Sequence, residues 1–218
     1  MKVPPEEWRR ASMSSRQLRI PGQLWLAGLE AAPEPPRPHR HNLFFALRLD
    51  EAARGTIAAM TSDLRRTFGL RSPPVTPEQL HLTLFPVASC DEPPRPDLVD
   101  RARGAAASVA AAPFTLELDR VLSFRNRRPA KPLVLAGRGA SEPFAALQRR
   151  ISLAVGASGL HARPHGFGTP HVTMSWDRDL GRELEVGPVP LEAREFAFIH
   201  SHVGQRRHDM LGRWPLRG

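Results

Sequence analysis

Two four-residue segments, His81-Leu82-Thr83-Leu84 and His171-Val172-Thr173-Met174, alternate polar and apolar residues with a period of two. In a β-strand that alternation puts imidazole and hydroxyl on one face and two apolar side chains on the other. The apolar face can enter a core while His and Thr look into a cleft. Two such strands facing each other supply two imidazoles and two hydroxyls around one small anion, a set of groups suited to metal-free acid–base chemistry at a phosphate. One copy alone says little, because this pattern arises at roughly one His in a hundred. With nine His in the chain, two accidental copies have a chance on the order of 1%.

The elements around the two motifs also correspond. Ile57, Met60, Leu64 and Phe68 form an apolar stripe at spacings of three and four, which predicts an amphipathic helix with Asp50 as N-cap and Gly69 as stop. Before His171, Phe144, Leu147, Ile151 and Val155 form a similar stripe, with Ser141 as cap, Pro143 in the first turn, and Gly156 and Gly159 at the end. Each helix begins about 30 residues ahead of its histidine, and each motif follows a proline-containing turn, Thr76-Pro77 or Thr169-Pro170. The chain therefore reads as two blurred copies of helix, loop and His-strand.

Residues 1–40 stand apart: Pro4, Pro5, Pro21, Pro33, Pro35, Pro36 and Pro38 interrupt any periodicity, so an irregular extension is expected there, with the folded domain at 41–218. Asn42 to Leu47 predicts a buried strand. After the first motif, Pro93 to Pro96 breaks the chain, Asp97 to Ala112 reads as an Ala-rich helix closed by Pro113, and Phe114 to Leu118 alternates as a strand running on towards Leu122 and Phe124. A basic hairpin loop, Arg125 to Lys131, leads into Leu133-Val134-Leu135, and Glu195–Val203 and Met210–Leu216 are further strand candidates. Successive strands late in a mixed chain predict an α+β fold rather than a doubly wound parallel sheet.

Composition sets outer bounds. The single Cys90 excludes an internal disulfide framework and fits a reducing, cytoplasmic setting. No apolar run approaches the length of a membrane span, and the N-terminal charges have no apolar stretch behind them, so neither a membrane partner nor a secretory signal is expected. A formal net charge of +9 favours an anionic partner such as nucleic acid, although an Arg-rich solvated surface gives the same total.

With both motifs, their spacing and this order of elements, residues 42–218 resemble the two-histidine phosphoesterase superfamily, and within it the RNA 2′,3′-cyclic phosphodiesterases also called 2′-5′ RNA ligases. Supporting features are the opening strand Leu43 to Leu47, the segment Gln79-Leu80 before the first motif, the Pro170-His171-Val172-Thr173 form of the second, and the tail Leu211 to Leu216. The resemblance implies two pseudo-symmetric lobes of antiparallel sheet plus helices around a central cleft. It implies hydrolysis of RNA 2′,3′-cyclic phosphate ends to 2′-phosphates, with no cofactor and no obligate protein partner. The expected partner is RNA or a nucleotide carrying a 2′,3′-cyclic phosphate, tRNA fragments among them. Joining of 2′-5′ linkages, cleavage of small cyclic nucleotides or 2′-5′ oligonucleotides, and a non-catalytic RNA-binding module are the alternatives.

In that reading His81 is assigned as acid and His171 as base, an order that the near-symmetry of the motifs leaves open, while Thr83 and Thr173 donate to the phosphate oxygens. Where the family has Phe three residues before the second His this chain has Gly168, with Phe167 the nearest aromatic; the motifs also run on into Phe85-Pro86-Val87 and Ser175-Trp176-Asp177 rather than the usual continuations. Phe167 and Trp176 are candidates to stack on a base, with core packing the plain alternative. Arg125, Arg127, Arg128 and Lys131 are candidates to track an RNA backbone, or a solvated loop tip. His200 and His202, two apart on a strand, share a face, but a metal reading needs a third ligand and no carboxylate–His spacing typical of zinc accompanies them, so no metal site is expected.

Overall fold

The structure is a computed structural model that describes residues 40–124, 129–139, 141–160 and 169–217. In chain order the elements are β1 (His41–Arg48), α1 (Glu51–Phe68), a 3-10 turn (Pro77–Gln79), β2 (His81–Cys90), α2 (Pro96–Ala107), β3 (Phe114–Ser123), β4 (Lys131–Ala136), α3 (Glu142–Ala157), β5 (His171–Asp177), β6 (Leu184–Ala193), β7 (Glu195–His202) and β8 (Arg207–Pro215). All eight strands join one sheet in the order β6-β3-β4-β5-β2-β1-β7-β8, and every pairing is antiparallel. The α+β class follows, and the sheet divides into two four-stranded halves. Each half carries one His-strand on its inner edge, and the halves meet where Leu82 of β2 pairs with Val172 of β5.

The ends of α1 are set as its sequence predicts, whereas at α3 Ser141 holds the N-cap position without a side-chain hydrogen bond. Asp50 accepts from the Ala53 N–H at 2.7 Å, and Gly69 stops α1 at φ 61°, with Leu70 N–H returning to the Arg65 carbonyl. In α3 the whole predicted stripe, Phe144, Leu147, Ile151 and Val155, is buried. In α1, Ile57 is buried, and Met60, Leu64 and Phe68 pack at the core's edge. Helix α1 lies against β5 and β6, α3 against β2 and β3, and α2 against α3 and β8. The helices share the core with Leu43, Phe45, Leu47, Phe196 and Phe198, while the intervening Phe44, Ala46, Ala197 and Ile199 form a small cluster of their own. Alternation along β1 and β7 thus assigns helices to one face and leaves the other for a cleft.

Two elements differ from expectation. Helix α2 ends at Ala107, not Ala112, because Ser108 turns its hydroxyl back to the Ala105 carbonyl at 2.8 Å and closes the last turn. Strand β6 was hidden by Gly187, Pro188 and Pro190, residues that a strand tolerates at a sheet edge, where β6 lies. Among the described residues, no helix is long and apolar enough to cross a membrane.

Both His-strands bulge immediately after their Thr. Across β1, Thr83 pairs with Ala46 and Phe85 with Phe45, so Leu84 is extra. Across β4, Thr173 pairs with Val134 and Ser175 with Leu133, so Met174 is extra. A bulge leaves a carbonyl without its ladder partner, and here each finds another: Gln148 Nε2 donates to Leu84 O at 3.0 Å and Val75 N–H donates to Met174 O at 2.8 Å. Gln148 is buried in α3, so Gln148→Leu strands the Leu84 carbonyl in the core. A loss of about 1–3 kcal/mol is expected in denaturant unfolding.

Candidate active site

Antiparallel pairing at Leu82 and Val172, both fully buried, turns the flanking residues to the opposite face. His81 and Thr83 therefore stand beside Thr173 and His171, and all four line one cavity of about 610 Å³. The four residues singled out by alternation are brought together by the sheet.

The two imidazoles are oriented by the same device. His81 Nδ1 lies 2.7 Å from the carbonyl of Gln79, and His171 Nδ1 lies 2.8 Å from that of Thr169. A carbonyl only accepts, so each Nδ1 carries a hydrogen, and each Nε2 is left for chemistry in the cavity. The turns that supply these carbonyls are themselves tied down. Gln79 N–H donates to Thr76 O in the 3-10 turn, and Gly137 N–H donates to Pro170 O. At Gly137 a Cβ would come within 2.8 Å of the Glu117 carbonyl, so only glycine permits that approach.

An aromatic ring backs each histidine. Phe44 stacks on His81 with centroids 4.7 Å apart, and Phe124 meets His171 edge-on at 4.6 Å. Burial pushes the pKa of His81 from 6.5 down to about 4; the Gln79 carbonyl opposes this, and the neighbouring His208 and His171 add to it. Burial also lowers His171, less deeply, against the Thr169 carbonyl. Both rings are therefore predominantly neutral in the free cleft at neutral pH.

Sequence reading missed three contributors. His208, across β8 from Ser201, sits with its ring 5.4 Å from that of His81; it belongs to no motif, and only the sheet order brings it there. Arg206 lines the cavity from the β7–β8 turn, held at φ 50°, a left-handed conformation costly for a residue with a Cβ. Phe44 carried no signal beyond its place in an apolar strand.

Of the binding candidates, Trp176 lines the cavity and is 45% exposed. The Met174 bulge puts it there, as the Leu84 bulge puts Pro86 at the equivalent place on the other strand. Lys131 opens β4 opposite Asp177, outside the cavity lining. Arg125, Arg127, Arg128 and Phe167 lie outside the described residues. Asp177 has a structural part: burial would raise its carboxyl, but the N–H groups of Ser72, Arg178 and Arg71 hold it below the usual range and fasten the loop after α1 to the end of β5.

The family model of the 2′-5′ RNA ligase superfamily matches residues 49–185, a span that contains both His-strands. The chain belongs to the 2′-5′ RNA ligase superfamily. Solved structures are similar to it in fold. E. coli LigT in its apo form is 22% identical, with a TM-score of 0.61 over 83% of this chain and 99% of that one. E. coli LigT complexed with 3′-AMP is 23% identical, with the same TM-score and coverage. TT0787 of Thermus thermophilus is 23% identical, with a TM-score of 0.62 over 81% of this chain and 98% of that one. No curated protein matches the chain. Membership in the 2′-5′ RNA ligase superfamily supports a phosphoesterase or ligase activity.

The depressed pKa of His81 has a structural cause that can be removed. Phe44→Ala opens the ring's stacked face to water and relieves the desolvation of the imidazolium, so the His81 pKa is expected to rise from about 4 towards 6.5, as read by NMR titration of its ring protons.

Proposed function

We propose that this superfamily member hydrolyses RNA 2′,3′-cyclic phosphate ends to 2′-phosphates by two-histidine general acid–base catalysis, needing no metal or nucleotide cofactor at the cleft. One observation carries the reading: two imidazoles, each with Nδ1 tied to a backbone carbonyl, offer Nε2 to a single cavity from adjacent antiparallel strands. Binding a phosphate alone has no need of a matched pair of titratable groups.

In the proposed reaction, water beside His171 loses a proton to Nε2 as its oxygen attacks phosphorus. The bond from phosphorus to the ribose 3′ oxygen breaks, and His81 Nε2–H delivers its proton to that oxygen. The products are a 2′-phosphate and a free 3′ hydroxyl; the proton gained by His171 and the one lost by His81 re-equilibrate with solvent before the next turnover. Thr83 and Thr173 donate to the non-bridging oxygens, where charge accumulates in the transition state. The ring strain of a five-membered cyclic phosphate lowers the barrier before any catalytic group acts. With His81 the more depressed group, the single proton of the free cleft rests mainly on His171, so these roles use the minor microstate, protonated His81 with neutral His171, which bound phosphate favours by stabilising the His81 imidazolium.

The substrate's remaining parts have matching groups nearby. Trp176 offers a half-exposed ring for a base to stack on, and Arg206 offers a guanidinium for a flanking phosphate. E. coli LigT in complex with 3′-AMP, with ATP and with phosphate supports a nucleotide-sized ligand for this fold. The protein is expected to act where RNA ends are processed, in the cytoplasm.

The test is incubation of the chelator-treated protein with a short RNA ending in a 2′,3′-cyclic phosphate, alongside His81→Ala and His171→Ala, with the position of the product phosphate determined. Wild type is expected to give the 2′-phosphate, and each variant to lose about 10²–10⁴-fold in rate. No conversion by folded wild type overturns RNA-end hydrolysis and moves the reading to small cyclic nucleotides. An aryl phosphodiester, whose leaving group needs no acid, is expected to rescue His81→Ala but not His171→Ala; the opposite rescue exchanges the two roles. Arg206→Ala is expected to raise KM about 5- to 20-fold with little change in kcat, an effect that shrinks at high salt.

A further inference from the structure

Beside the cleft, three histidines converge from strand ends far apart in the chain. His41 opens β1, and His200 and His202 close β7. Cross-strand register places His41 opposite His202, and His200 opposite Asp209 of β8. By alternation His41 continues the row of Leu43, Phe45 and Leu47, and His200 and His202 continue that of Phe196 and Phe198, the rows that face the helices. His208, one residue before Asp209, points the other way, to His81. His41 and His200 thus project to the face opposite His81, while His202 also borders the cleft cavity.

We propose that His41, His200 and His202 bind a divalent transition-metal ion of the zinc class, with Asp209 orienting His202. One ring nitrogen from each of the three lies within 4.8 Å of those of the others, and His41 Nδ1 is 2.8 Å from His200 Nε2. Zinc–nitrogen bonds of about 2.0–2.1 Å set tetrahedral ligands about 3.3 Å apart, so small ring movements complete the site. His41 and His200 are 9% and 7% exposed, and burying three imidazoles side by side is costly without a shared cation or proton. Imidazole donors suit zinc, cobalt, nickel or copper rather than magnesium or calcium.

A second observation points the same way. His202 Nε2 lies 2.8 Å from Asp209 Oδ2, and Arg207 grips both oxygens of that carboxylate, at 2.8 Å and 2.9 Å. A carboxylate fixed on one nitrogen of a histidine, leaving the other nitrogen for a metal, is the outer-shell arrangement that sets tautomer and ring orientation in metal sites. Sequence reading found His200 and His202 but no third ligand; the fold supplies His41 from the opposite end of the domain. All four residues lie outside 49–185, so the superfamily match does not extend to them. An ion here pins the end of β1 to the end of β7, which makes it a structural site.

The full chain, stripped with chelator and dialysed, is titrated with ZnCl₂ by calorimetry and with CoCl₂ by visible absorption. Wild type is expected to bind one ion per chain at this site, to show the d–d bands of tetrahedral cobalt, and to gain several degrees in Tm with saturating zinc. His41→Ala and His200→Ala are expected to lose the cobalt bands, and Asp209→Asn to weaken binding about 10–100-fold while remaining folded. His81→Ala, on the other face, should keep the bands. Absence of stoichiometric binding by wild type overturns the proposal. So do cobalt bands that persist unchanged in His41→Ala, His200→Ala and Asp209→Asn.

Discussion

The structure depends on one short seam, the antiparallel contact of Leu82 with Val172 between two half-sheets. Because both apolar side chains are driven into the core, the residues on either side of each are forced outward, and all four point into one space. Strand alternation thus converts hydrophobic burial into catalytic geometry: the energy that buries Leu82, Leu84, Val172 and Met174 is also what aims His81, Thr83, His171 and Thr173. A slip of one residue at the seam would send the imidazoles into the core and the leucine and valine into the cleft.

The bulges at Leu84 and Met174 extend this logic. After each Thr the strand takes two consecutive core positions, an exchange of facing that brings the next residue back to the cleft; on β2 a second bulge at Val87 then reverses it. Trp176 reaches the cavity by that exchange. The matching bulge on the other strand puts Pro86 in the same place, so at these matched positions the near-symmetric frame carries an aromatic ring on one strand and a proline on the other. The carbonyls the bulges leave over are satisfied by groups outside the sheet, a Gln148 side chain and a Val75 N–H, which ties α3 and the loop before the first motif to the site.

How much of this the sequence disclosed follows from the range of the interactions. Period-two alternation and helix caps are local, and they located His81, Thr83, His171, Thr173, Asp50, Gly69 and the α3 stripe. Strand β6 escaped because its prolines argue against a strand unless its edge position is known. His208 escaped because its meeting with His81 depends on the β2-β1-β7-β8 order, which no local pattern encodes. The partnership of His41 with His200 and His202 is likewise a matter of register. Trp176 is legible as an aromatic beside a motif, but the reason it faces the cavity, a bulge two residues earlier, is a property of pairing with β4.

The pH dependence of turnover bears hardest on the two-histidine mechanism, because it reads the two imidazoles as a pair. The reactive free enzyme has one ring protonated and one neutral. That form grows in as pH rises through the lower pKa and is lost as pH rises through the upper. With His81 at about 4 and His171 below 6.5, kcat/KM on a 2′,3′-cyclic phosphate is predicted to be a bell with both limbs below 6.5. Bound phosphate stabilises the imidazolium, so the bell for kcat should shift to higher pH. A kcat/KM that stays flat or climbs between pH 6.5 and 8.5 would contradict the mechanism, since no protonated histidine would then be needed for turnover.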